Sequence, residues 1–323
     1  MKTKQLFFLF TFALAMTACG DDDPVNIHER STTQPLNGDN KNKNIVSNIK
    51  EVSRLEFPKV KDDGNSIVLV RSTSGFGVTY SIEYDKTLRA QRWTCFTLDK
   101  NNSVRSWNRN NWVNYASTNQ WVAKNLAEYG FSDPFQPDPD LPTSARTNLD
   151  EYKGISFQRG HICASSDRLY SKDANEQTFY LSNILPQSKG VNTGIWQDME
   201  GYVNGNTTSI WNSSSFRDTL YVCKGGTIDG NNIRSKTSTG LIVPKFFFMA
   251  LLCRKGNNFK ALGFWVEHTD QSKKDGVENH VVNIDYLEKE TGIDFFCNLP
   301  DDIEAEVQSA TKTKMLKDWK LDQ

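Results

Sequence analysis

Histidine is scarce: 323 residues hold only four. Cysteine is sparse too, and the six present form no Cys-x-x-Cys pair, which argues against a structural zinc site. Beyond Cys19 the remaining five, Cys95, Cys163, Cys223, Cys253 and Cys297, are odd in number. At least one thiol therefore stays unpaired, and the sequence leaves any pairing open. An excess of one charge is also missing, since 38 Lys and Arg face 39 Asp and Glu for a formal net charge of -1. That excludes a generally basic nucleic-acid coat, so a polyanion would have to be held by a local Arg/Lys cluster or a bound metal. With 24% charged residues and a mean hydropathy of -0.59 the chain is not a polytopic membrane protein, while 37% hydrophobic residues suffice for one large core or two small ones.

The N-terminus sets an expectation about compartment. Lys2 and Lys4 precede an apolar run from Leu6 to Ala15 and then Met16-Thr17-Ala18-Cys19-Gly20. This run is too short for the ~30 Å of a bilayer core, so residues 1–18 read as a secretion signal. Cys19 behind small residues resembles a bacterial lipoprotein box, which implies lipidation of Cys19 and anchoring to the outer membrane of a Gram-negative bacterium; the alternative is a plain exported protein. Asp21-Asp22-Asp23 reads either as a surface-export tag or as a solvated linker. Residues 19–65, polar and without apolar periodicity, read as a flexible tether carrying His28.

From residue 66 to 323 the pattern is that of one folded domain. Ile67–Val70, Val78–Tyr84, Trp93–Leu98, Leu220–Cys223, Phe246–Leu252 and Lys260–Val266 read as strands, the second and third as a hairpin around Asp85-Lys86. Ile284–Thr291 and Asp301–Ala310 read as helices. A stretch with Pro137, Pro139 and Pro142 reads as a long surface segment. Strands mixed with interspersed helices predict an α/β (α+β) domain on a largely antiparallel sheet flanked by helices.

Of the histidines, His268 and His280 flank the polar segment 269–276, which leaves His161 in Gln158-Arg159-Gly160-His161. A glycine allows close backbone approach to a ligand, and Arg forks onto phosphate oxygens. A second cluster runs Ser182-Asn183-Ile184-Leu185-Pro186-Gln187, then Asn192-Thr193-Gly194-Ile195-Trp196 and on to Glu200. If 193–203 is a helix, Asn192 is its cap, and Asn192, Trp196 and Glu200 share one face.

Together, Arg-Gly-His, Ser-Asn-x-x-Pro-Gln and Asn-x-Gly-x-Trp-x-x-x-Glu resemble the DNA/RNA non-specific endonuclease family, the ββα-metal nucleases that include endonuclease G. The resemblance runs over roughly 78–310 and extends to Tyr80–Tyr84, Val104-Arg105-Ser106-Trp107, Leu241–Pro244, Thr291–Phe296 and Leu299-Pro300-Asp301. It implies the ββα-metal fold and a metal-dependent endonuclease that cuts DNA and RNA through phosphate contacts, leaving a 5′-phosphate. It further implies His161 as general base, Asn192 as direct ligand of one Mg2+ (Mn2+ as a substitute), and Glu200 acting through the ion's water shell. Arg105 and Arg159 would neutralise phosphate charge, with Gln158, Asn183 and Gln187 in support.

The chemistry is coherent. An imidazole with the ordinary pKa of about 6.5 accepts a proton at neutral pH and predicts activity rising from about pH 6 to about pH 8. Magnesium prefers oxygen ligands and keeps most of its waters, so one amide oxygen can suffice. Two residues depart from the family pattern: Gln158 stands where many members have Asp, and Asn204 replaces an Arg found in some. They motivate a second expectation, a surface lipoprotein that binds nucleic acid with impaired catalysis. Cys163, two residues after the base, reads as a buried small apolar group, the alternative being an oxidisable thiol.

Overall fold

A computed structural model describes residue 36 and residues 38–46, 48–205, 210–270 and 275–322. Cys19, His28 and the whole leader lie outside the described residues. Seven strands form one antiparallel sheet: β1 (Ser66–Thr73), β2 (Gly77–Asp85), β3 (Ala90–Asp99), β6 (Thr219–Gly226), β9 (Phe246–Lys255), β10 (Asn258–Glu267) and β11 (Val281–Val282), in that spatial order. The apolar, β-branched and aromatic runs of the sequence are its central strands. The hairpin expected around Asp85-Lys86 closes over 86–89, with Asp85 opposite Ala90.

Both faces of the sheet are covered, so neighbouring residues of a strand serve different cores. On β6, Leu220 and Val222 face one cluster with Phe96, Phe247 and Met249, whereas Tyr221 and Cys223 face another with Trp93, Phe248 and Phe57. Helices α4 (Ile284–Thr291) and α5 (Asp301–Gln308) lie on the second side, where Ile284, Leu287 and Val307 join the Phe248 cluster. The first side carries a small hairpin, β4 (Gln158–His161) paired with β5 (Ile184–Gln187), followed by α3 (Trp196–Asn204). Trp196, Met199 and Val203 of α3 pack into this first core. Around Trp112, Phe135 and Phe179 a third cluster, with Val122 of α1 (Gln120–Tyr129), walls the hairpin. The remaining elements are α2 (Lys172–Gln177), α6 (Lys312–Trp319) and the hairpin β7 (Ile233–Lys236) with β8 (Ile242–Pro244).

Three sequence expectations change. The stretch 19–65 is no tether over its later part. Asn44 is buried, donates to the carbonyls of Val52 and Pro58 (3.0 and 2.9 Å) and accepts from the Val60 amide, while its own amide reaches Asn298. Phe57 is buried edge-on against Trp93. Few apolar residues are present, but amides that satisfy backbone groups supply what periodicity does not show. The proline segment is not superficial either: Asp138 is buried, bonded to Arg71 and Ser182, and Leu141 belongs to the first core. Finally, the helix does not begin at 193. A wide turn, Val191–Ile195, precedes α3 with Gly194 at φ -112°, ψ -120°, and Asn192 makes no capping bond.

Phe57→Ala should cost about 3 to 5 kcal/mol in urea unfolding; a loss typical of a surface site, within about 0.5 kcal/mol, would show the segment to be a tether after all.

Candidate active site

The β4–β5 hairpin is held by tight backbone contact. A Cβ on Gly160 would lie 2.1 Å from the Gln187 amide oxygen, so only glycine fits there. Gln187 is buried, and neither of its amide atoms has a hydrogen-bond partner among the described residues. Asn183 ties the strand ends: it accepts from the Cys163 amide and donates to the carbonyls of Cys163 and Thr178, each at 2.8 Å. Both expected supports thus act on the hairpin backbone.

His161 sits at the end of β4, half-buried between the rings of Phe135 (5.4 Å) and Phe179 (5.1 Å, edge-on). Its Nε2 is buried without a hydrogen-bond partner among the described residues. Burial first, then the positive charges of Arg109, Arg159 and Lys224, hold its pKa well below the usual 6.5. The ordinary imidazole expected from sequence is thereby corrected: burial and the nearby cations favour the neutral form of His161.

The wide turn explains Asn192. Freed from capping, its side-chain nitrogen donates to the Gln158 oxygen at 2.8 Å, so β4 and the helix start are joined directly. That bond engages the amide nitrogen and leaves the oxygen, an atom able to bind a hard cation, without a partner among the described residues. Further along α3, the indole of Trp196 donates to the His161 carbonyl at 3.3 Å.

Glu200 points to an element the sequence reading missed. Even-numbered residues of β6 face the first core, so Lys224 follows Leu220 and Val222 toward α3. There its ammonium, fully buried, lies 3.0 Å from Asp167 and 3.3 Å from Glu200. Burial, joined by repulsion from Asp167 and opposed by Lys224, lifts Glu200 to about 7. Asp167 also accepts from the Ala164 amide at 3.1 Å and the Asn204 amide at 3.2 Å. Asn204 therefore braces this buried group, and Arg105 approaches its carbonyl at 3.4 Å.

Arg159 lies over the rings of Phe131 (4.4 Å) and Phe135 (4.9 Å), and burial draws its pKa down. Arg109, also missed, is held by Asp133 at 2.8 Å over Phe179. Among the described residues neither Arg105 nor Arg159 makes an ion pair, which leaves both cations for a ligand. Cys163 is buried as expected, and burial pushes its thiol up to about 12. All five described cysteines are buried and free.

One open cleft of about 710 Å3 is lined by Arg105, Arg109, Gln158, Arg159, His161, Asn192, Glu200 and Asn204. It brings every expected site residue of the described chain together except Asn183 and Gln187, which stand behind the hairpin. No group of three or more His, Cys, Asp or Glu among the described residues could hold a metal. Among the groups lining the cleft are hard oxygens, those of the Asn192 amide and the Glu200 carboxylate, which fit an ion that keeps its waters.

A family model for DNA/RNA non-specific endonucleases matches residues 69–302. The chain belongs to this endonuclease family. Nuclease C1 of Cunninghamella echinulata var. echinulata is 31% identical over 168 residues, 51% of this chain and 67% of that protein. Mitochondrial endonuclease G of Bos taurus is 26% identical over 196 residues, 55% of this chain and 63% of that protein. For the mitochondrial nuclease EXOG of Xenopus laevis the figures are 25% over 237 residues, 70% of this chain and 58% of the relative. The endonuclease chain thus spans roughly three fifths to two thirds of these relatives. A solved EndoG/EndoGI complex shares the fold with a TM-score of 0.55 at 19% identity, over 71% of this chain and 86% of that one.

Lys224→Met strands the buried carboxylate of Asp167 and the half-buried one of Glu200. It should cost about 3 to 5 kcal/mol in urea unfolding, partly recovered by adding Asp167→Asn; a change below about 1 kcal/mol would contradict the buried arrangement.

Proposed function

We propose that this endonuclease hydrolyses phosphodiester bonds of DNA and RNA with little sequence preference, leaving a 5′-phosphate, with His161 as general base and one divalent ion, Mg2+ or Mn2+, held by Asn192. The observation that carries the proposal is the convergence of His161, Arg159, Asn192 and Glu200 on one cleft, with the Asn192 amide turned by Gln158.

A neutral imidazole can take the proton of an attacking water without first losing its own. Phe135 and Phe179 fix the ring and strip water from its flanks. Arg105 and Arg159 offer cations to phosphate oxygens, and contacts to phosphate carry no base information, hence the lack of sequence preference. The ion, when bound, supplies positive charge over the oxygens that become more negative as the bond breaks. Asn192 would hold it directly and Glu200 through water.

The two substitutions that motivated a binding-only protein both have partners that keep the site in order. Gln158 orients Asn192, and Asn204 braces Asp167. The leader reading makes the enzyme an exported protein anchored by lipid on Cys19, with access to nucleic acid outside the cytoplasm.

Supercoiled plasmid and RNA incubated with Mg2+ should both be cut, cutting should stop with EDTA, and His161→Ala should lose at least about 100-fold in kcat, the lower range for a general base. Binding without cleavage by the wild type would overturn the reading. Because burial and nearby cations draw the pKa of His161 down, its acid limb should lie below the ordinary imidazole value of about 6.5, and any limb near neutrality should belong to Glu200. The residual activity of Glu200→Gln should therefore be flat between about pH 6 and about pH 8; a limb near pH 7 in that variant would contradict a depressed His161.

A further inference from the structure

Asn192 follows a short turn, 188–191, whose placement determines where its amide lies. Ser188 governs that turn: its carbonyl accepts from the Asn192 amide at 2.9 Å, and its hydroxyl accepts from the Val191 amide at 3.3 Å while donating to the Thr269 carbonyl at 2.5 Å. The Ser188 amide has an unusual partner, Nε2 of His268 at 2.7 Å. His268 belongs to the segment leaving β10 and is buried.

The tautomer of His268 follows from its other bond. Nδ1 lies 2.7 Å from the Pro244 carbonyl, which can only accept, so the ring proton sits on Nδ1 and Nε2 is a bare acceptor. Burial draws its pKa down, consistent with a neutral ring. The imidazole contacts Phe247 of the central sheet edge-on at 5.1 Å and Phe157 at 5.7 Å. Phe157 immediately precedes Gln158, the residue that turns the Asn192 amide. Arg234 adds a brace, lying 5.8 Å over Phe157 and donating to the His268 carbonyl at 3.1 Å. One ring thus touches both strands of chain that meet at the Asn192–Gln158 bond, and it is itself fixed to the sheet.

We propose that His268 is a positioning residue for Asn192: by accepting from the Ser188 amide and packing on Phe157, it sets the 188–192 turn in register with Gln158 and so aims the Asn192 amide oxygen into the cleft. The inference rests on the reading that Asn192 holds the divalent ion. A buried histidine serving stability alone would leave ion affinity unchanged in any variant that still folds. A positioning role ties affinity to the Ser188 bond, because partners behind a metal ligand affect binding by roughly 10- to 100-fold.

The test compares the full chain with His268→Asn, His268→Gln and Asn192→Ala. Mg2+ binding is measured by titration calorimetry without nucleic acid, and kcat and KM on plasmid at saturating Mg2+. The shorter Asn side chain can replace Nδ1 toward Pro244 but does not reach Ser188, whereas the Gln amide oxygen reaches the Nε2 position. His268→Asn should weaken Mg2+ binding by roughly 10- to 100-fold and lower kcat with little change in KM, and His268→Gln should restore most of both. Equal Mg2+ affinity in His268→Asn and the wild type, or equal damage in His268→Asn and His268→Gln, would overturn the proposal. Should Asn192→Ala bind Mg2+ like the wild type, the reading of Asn192 as ligand fails and the positioning role falls with it. Weakened binding in Asn192→Ala beside wild-type binding in His268→Asn would overturn the positioning role alone.

Discussion

A single ammonium group with no access to water constrains the site. Lys224 lies between the rings of Phe96 and Trp196 and can keep its charge only by sharing it with Asp167 and Glu200. That requirement fixes a turn on one side and a helix on the other. Asp167 holds the turn that follows the β4 strand, and Glu200 holds the middle of α3. The cost of leaving either carboxylate unpaired makes the spacing between hairpin and helix stiff, and the cleft lies in that spacing.

On this foundation the polar face of the site is assembled from departures from regular structure. A regular helix from residue 193 would have used Asn192 as a cap and turned its oxygen to backbone amides. The wide turn at 191–195 instead spends the side-chain nitrogen on Gln158. The β4–β5 pairing likewise depends on the missing side chain of Gly160, which lets Gln187 press against the backbone. Apolar walls do the electrostatic work: Phe135 and Phe179 desolvate His161, and the nearby arginines, attractive to phosphate, also disfavour its protonated form.

Much of this was legible in the sequence. The six strand runs and the helices α4 and α5 stood out, because a two-sided sheet needs uninterrupted apolar strands and because Gly292 ends one helix in the left-handed region, whereas α6 was not read. His161, Arg159, Asn192 and Glu200 were readable through motifs whose joint spacing is specific, and Arg105 through the short flanking match Val104–Trp107. Lys224 was not, since a lysine at the end of an apolar strand reads as a solvated strand end. Its clue was alternation with Leu220 and Val222, which predicts a cation facing the core. The role of Asp167 depends on that same lysine and was hidden with it. Asn44 and Phe57 were missed for a different reason: one buried amide and one ring anchor a polar segment that carries no periodic pattern. The depressed pKa of His161 depends on rings and cations far apart in sequence, Phe135, Phe179 and Arg109, which only the fold brings to it.

The central claim, proposed above, is that the Asn192 carboxamide oxygen, set by its bond to Gln158, holds one cation in the cleft beside the His161 imidazole. Diffraction from crystals soaked with Mn2+, read by its anomalous signal, tests it most directly. The account predicts one ion in the cleft in direct contact with the Asn192 amide oxygen, with Glu200 separated from it by water. An ion bound elsewhere, or one in the cleft that Asn192 does not touch, would contradict it.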